Sequence, residues 1–94
     1  MERVKKYKFI EKIKALPFVE ELWLFGSRAR GDNKEKSDID LAVVCKENTT
    51  NSDWLDVCDI VDDADTLLGI DFVRFDTLKE CEFKNRILKE KVVL

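Results

Sequence analysis

The chain of 94 residues has no histidine, one proline, three glycines and three cysteines. Without histidine the commonest general base is missing, along with several metal sites, so acid-base work falls to carboxylates. Cys45, Cys58 and Cys81 are odd in number and widely spaced, which suits neither a disulfide framework nor a Cys-x-x-Cys zinc site. Each reads as a small buried hydrophobe. No apolar run approaches the about 20 residues of a membrane span, and the basic start Met1-Glu2-Arg3-Val4-Lys5-Lys6 lacks the apolar core of a secretory signal. A cytoplasmic protein with no membrane contact is expected. An excess of basic residues is also missing: the net charge is -3, which argues against a broad nucleic-acid surface.

The remaining composition, 45% hydrophobic and 39% charged, describes a globular protein rather than a disordered one. The length predicts a single domain over residues 1–94 with a modest core and little surface to spare for a second binding module. Repeats and low-complexity segments are absent.

Arg3 to Leu16 carries Val4, Tyr7, Ile10, Ile13 and Leu16 near helical spacing and reads as an amphipathic helix ended by Pro17. Glu20 to Phe25 is the first strand, in which Trp23 alternates against Leu22 and Leu24 as a core or interface residue. A second strand runs to about Cys45. Thr50, Asn51, Ser52 and Asp53 then offer N-caps for a helix over 53–68, whose aspartates form a solvated face or a docking face for a basic partner. Gly69 reads as the stop of that helix, and Ile70 to Phe75 as a third strand. A closing helix spans Thr77 to about Lys91, and Val92, Val93 and Leu94 pair or pack.

The chemistry concentrates in Leu24-Phe25-Gly26-Ser27-Arg28-Ala29-Arg30-Gly31 and in Ser37-Asp38-Ile39-Asp40. In the first stretch Gly26 lets the backbone approach a ligand, and Ser27 supplies a hydroxyl at the start of a short helix whose N–H groups suit an anion. In the second, strand alternation projects Asp38 and Asp40 to one side, about 6–7 Å apart at the backbone, while Ile39, Leu41 and Val43 face the core. Two such charges repel by about 2–3 kcal/mol at an effective dielectric near 20, so a fixed pair suggests a cation. Phosphate on the turn and a divalent metal on the carboxylates make up the apparatus of phosphoryl or nucleotidyl transfer. A P-loop is excluded, because Asp32 and Asn33 stand where that motif requires Lys and Ser or Thr. Asp71 is a third candidate, since a carboxylate within an apolar strand is costly unless something satisfies it. Asp76 is its rival, although Phe75-Asp76-Thr77 reads more like an exit turn and N-cap.

Gly26-Ser27, a gap of ten residues, and Asp38-Ile39-Asp40 resemble the signature of the DNA polymerase beta-like nucleotidyltransferase superfamily. The fuller Gly26-Ser27-Arg28-Ala29-Arg30-Gly31, with Ser37 before Asp38, resembles its minimal (MNT) branch. The resemblance implies an α+β fold, a small mixed β-sheet flanked by helices. It implies Mg²⁺, two ions, held by Asp38, Asp40 and Asp71, with Asp71 accepting a proton. It also implies a nucleoside triphosphate, ATP, held by Gly26, Ser27 and Ser37, with Arg28 or Arg30 neutralising charge. MNT proteins are often antitoxins encoded beside HEPN-domain ribonucleases, some of which they modify by transferring AMP to a tyrosine. That role is the expectation here. Small-molecule adenylylation and neutralisation of the partner by contact alone are the alternatives, and a homodimer stays open.

Overall fold

The structure, a computed structural model, describes residues 7–94. Its elements in order are α1 (Lys8–Lys14), β1 (Val19–Phe25), α2 (Ser27–Arg30), β2 (Ile39–Cys45), α3 (Asn51–Asp62), β3 (Ile70–Arg74), a 3₁₀ turn (Phe75–Thr77), α4 (Glu82–Glu90) and β4 (Val92–Val93). The four strands form one mixed sheet in the order β3-β2-β1-β4. β1 runs antiparallel to both β2 and β4, while β2 and β3 are parallel. The expected α+β fold with a small mixed sheet is present.

Alternation along the central strands sorts the core into two faces. Leu22 and Leu24 of β1 and Ile39, Leu41, Val43 and Cys45 of β2 pack under α1 and α3, against Phe9, Ile10, Ile13 and Val57. Trp23, Phe25 and Ala42 face the other way, with Phe75 and with Ile87 of α4. Trp23 is therefore a core residue: its ring meets Phe75 edge-on at 4.7 Å, and Lys91 lies over it at 3.9 Å. The C-terminal residues both pair and pack, since Val92 and Val93 join β1 and Leu94 is buried.

The helices are shorter than their patterns suggest. The first is helical over Lys8–Lys14, and the part expected before residue 7 lies outside the described residues. α3 starts with a reciprocal capping box between Thr50 and Asp53 but ends at Asp62, not at Gly69. Its last turn carries no basic residue, and aspartates oppose the helix dipole there. Asp65 instead turns back to accept the N–H groups of Lys8 and Phe9, capping α1 and holding its own carboxyl below the usual range through those bonds. Asp56, Asp59, Asp62 and Asp63 are solvated. The closing helix begins at Glu82 rather than Thr77, because residues 75–77 form the 3₁₀ turn. Asp76 works within that turn, accepting from the Cys45 N–H and from Arg74.

The cysteines divide. Cys45 is buried, and burial, then Asp76, pushes its thiol up to about 11. Cys58 is half-buried and Cys81 exposed, which corrects the reading of all three as core residues. The helical stripe around Cys81 is thin: Ile87 is the buried member of α4, and Leu88 is 44% exposed. No helix among the described residues is long and apolar enough to cross a membrane.

Leu41 lies at the centre of the larger core with no exposed surface, whereas Leu55 on α3 is 60% exposed. Leu41→Ala is expected to cost about 2–5 kcal/mol in urea unfolding, by transfer and cavity terms together. Leu55→Ala should stay within about 0.5 kcal/mol of the parent.

Candidate active site

β1 ends at Phe25, and the chain then turns sharply at Gly26, which has φ 76° and ψ −157°. Few residues other than glycine adopt that conformation. A second constraint acts at the same position, because a Cβ on Gly26 would collide with the carboxylate of Asp40. Gly69, just before β3, stands in the same relation to Asp38, and its carbonyl accepts the Ile39 N–H at 2.9 Å. The sequence reading assigned Gly69 to a helix end. Its place in the fold is instead a cradle for a carboxylate.

Asp38 lies one residue before β2 rather than within it, and Asp40 is the second residue of the strand. The parallel register pairs Asp40 with Asp71 on β3. β3 is an edge strand, so Asp71 is exposed rather than enclosed among apolar neighbours, which corrects the reason for which it was singled out. What brings it to the other two is the register. Asp40 is half-buried, and its carboxyl is pushed above the ordinary range, first by burial, then by the charges of Asp71 and Asp38. Arg86 and Arg30 oppose the shift.

Arg28 and Ser37, expected at the nucleotide, shape the intervening loop. The Arg28 guanidinium donates to the Ser37 carbonyl at 2.8 Å and to the Glu35 carbonyl at 3.1 Å. The Ser37 hydroxyl accepts the Lys34 N–H at 2.9 Å. Ser27 opens α2, and its carbonyl receives the N–H groups of Gly31 and Asp32. Arg30 is paired with Asp32 at 3.1 Å and with Glu90 at 2.9 Å, and these two bonds, in that order, hold its guanidinium above the usual range.

Two residues of α4 enter the site that motif reading passed over. Arg86 lines a hollow of about 350 Å³ together with Asp40, Asp71, Phe25, Phe72 and Phe83. Glu90 accepts the Gly26 N–H at 3.2 Å. Both sit on a helix with no recognisable motif, and their position depends on how α4 crosses the sheet.

Among the described residues, no three acidic or cysteine side chains are gathered tightly enough to hold a metal ion by themselves. The donor set nonetheless fits magnesium. All the oxygens are carboxylate, and this ion takes one or two carboxylates and completes its shell with water and substrate phosphate. Gly26 and Gly69 also give the carboxylates of Asp40 and Asp38 their places, since a Cβ at either glycine would collide with them.

Residues 7–94 match the family model described as Polymerase beta, Nucleotidyltransferase. The chain belongs to this family. Among solved structures it is similar to a protein of Sulfolobus solfataricus classed as a nucleotidyltransferase, with 30% identity and a TM-score of 0.59 over 92% of this chain and 72% of that one. A toxin-antitoxin structure with AMP-PNP shares the fold at 21% identity and a TM-score of 0.61. The toxin-antitoxin complex MntA-HpeT, in a mutant form, does so at 23% identity and a TM-score of 0.63. Each of these two covers 90% of this chain and 68% of the other. No curated protein sequence matches.

For this nucleotidyltransferase, the raised carboxyl of Asp40 fixes a sign. Asp40 binds its proton more tightly in the folded chain than in the unfolded one. Its contribution to stability is therefore greatest below the ordinary carboxylate range and is lost as pH rises through its raised value. Asp40→Asn should raise the melting temperature at neutral pH, and the gain should shrink as the pH falls into the acid range. Thermal unfolding of both proteins across pH checks this.

Proposed function

We propose that the chain is a magnesium-dependent adenylyltransferase that moves AMP from ATP to a hydroxyl acceptor, a tyrosine of a HEPN-type toxin, within the cytoplasm. Residues 1–94 act as one nucleotidyltransferase domain in this reading. The observation that carries it is the parallel register of Asp40 and Asp71, with the Gly26 turn directly against Asp40. Family membership supports nucleotidyl transfer, and the toxin-antitoxin structures that share the fold support a toxin as partner.

In this mechanism Gly26 and Ser27 hold the phosphate chain of ATP. Asp38, Asp40 and Asp71 are the residues that would hold magnesium, two ions in this reading. When bound, magnesium neutralises phosphate charge and acidifies the acceptor hydroxyl. Asp71 is solvent-exposed at the sheet edge and takes the hydroxyl proton as the acceptor oxygen bonds to the α-phosphorus. The bond from that phosphorus to the oxygen bridging to the β-phosphate breaks, and pyrophosphate leaves. Arg86, facing Asp40 and Asp71 across the same hollow, supports charge developing on the transferred group. Asp71, Phe72 and Val73 of the edge strand β3 line the hollow, which suits an acceptor carried on another protein.

Intact-mass spectrometry of the toxin partner after incubation with this chain, ATP and Mg²⁺ tests the proposal. An AMP-sized adduct is expected, and Asp38→Asn or Asp40→Asn should reduce its rate by about 100-fold or more. Unchanged transfer by both variants would refute the site assignment. Neutralisation of the partner by the variants at stoichiometric amounts, with no adduct from the parent, would identify a contact antitoxin.

A further inference from the structure

Glu90, the last residue of α4, makes contacts that a surface brace does not require. One oxygen of its carboxylate accepts the Gly26 N–H at 3.2 Å, and the other accepts Arg30 Nη1 at 2.9 Å. Arg86, one helical turn earlier, approaches the first oxygen at 3.9 Å. The side chain is only 14% exposed. A backbone N–H and two guanidinium groups thus surround a single planar anion, an arrangement that serves a phosphate as readily as a carboxylate.

The location gives this arrangement its meaning. Gly26 abuts the Asp40 carboxylate, so the seat filled by Glu90 adjoins the carboxylate cluster. Glu90 brings a further negative charge to the neighbourhood of Asp40, with Arg30 and Arg86 as the neighbouring cations. Bringing one more carboxylate to such a cluster is unfavourable unless the seat attracts anions strongly enough to offset the repulsion.

We propose that Glu90 is a resident surrogate for phosphate, occupying the seat at Gly26 and Arg30 that the triphosphate takes when it binds. This rests on the nucleotide reading of the site given above. Triphosphate entry displaces the carboxylate, and the seat's donors, the Gly26 N–H, Arg30 and Arg86, pass from Glu90 to phosphate oxygens. Glu90 therefore sets nucleotide affinity: a ligand has to outcompete a tethered carboxylate, which a polyphosphate with several oxygens does more readily than a single carboxylate or monophosphate.

The test is calorimetric titration of the full chain, and of its Glu90→Gln and Glu90→Ala variants, with Mg²⁺ and ATP. Both variants should bind about three- to tenfold more tightly than the parent. Glu90→Gln keeps the shape of the side chain and guards against loss of fold in Glu90→Ala. A parallel readout comes from the amide of Gly26, one of three glycine signals in a proton-nitrogen NMR spectrum. It should move upfield in Glu90→Ala and return downfield when Mg²⁺ and ATP are added. Equal or weaker binding by both variants would overturn the proposal and make Glu90 a brace for the turn. Absence of ATP binding by all three proteins would overturn the nucleotide reading itself, and the surrogate role with it.

Discussion

Two aspartates held side by side on parallel strands set the terms for everything around them. The pairing of Asp40 with Asp71 follows from the backbone register of β2 and β3, which the apolar residues on the opposite face hold fixed. Neither carboxylate can retreat without pulling Ile39, Leu41 or Phe72 out of the larger core. The repulsion is therefore built into the strands. Burial first, and then this repulsion, raises the carboxyl of Asp40, partly offset by Arg86 and Arg30. A core that stabilises the fold is thereby used to keep like charges together, an arrangement that attracts positive charge.

The two faces of the sheet divide this labour unequally. Beneath α1 and α3 lies a continuous apolar layer from Phe9 to Val57. The other face carries a smaller cluster built on Trp23, Phe25, Ala42, Phe75 and Ile87, and the carboxylates stand at its margin. α4 covers that cluster with one buried side chain and turns charged residues toward the site. With that single buried side chain, α4 brings Arg86 to the site as countercharge, alongside Arg30 of α2.

The motif was legible because its spacing is local: a glycine turn, ten residues and two aspartates at the entry to one strand. The central strands were legible from alternation, and α3's start from Thr50 and Asp53. Helix ends were less so. Asp62 closes α3 because Asp65 is used elsewhere, as a cap on a helix more than fifty residues away in sequence, and no local pattern carries that information. The apolar neighbours of Asp71 in sequence imply an enclosed carboxylate, whereas the edge position of β3 leaves it open. The roles of Gly69, Arg86 and Glu90 lie outside any local pattern because they depend on which carboxylate or turn lies across the gap, and that is settled only when the chain has folded. Conversely, Arg28 drew attention through its place in the motif and proves to be tied to loop carbonyls.

The placement of β3 also bears on which strands could add to the sheet. A four-stranded sheet has two open edges, and unpaired backbone groups at an edge invite pairing with other chains. One edge here is β4, only two residues long, too short to template a partner. The other is β3, five residues of which Ile70, Phe72 and Val73 are apolar. Its defence lies in the exposed Asp71, a charge that an incoming strand would have to lay against its own side chains. The carboxylate assigned to proton transfer thus also guards the sheet against self-association, so its loss would be felt in solubility as well as in chemistry.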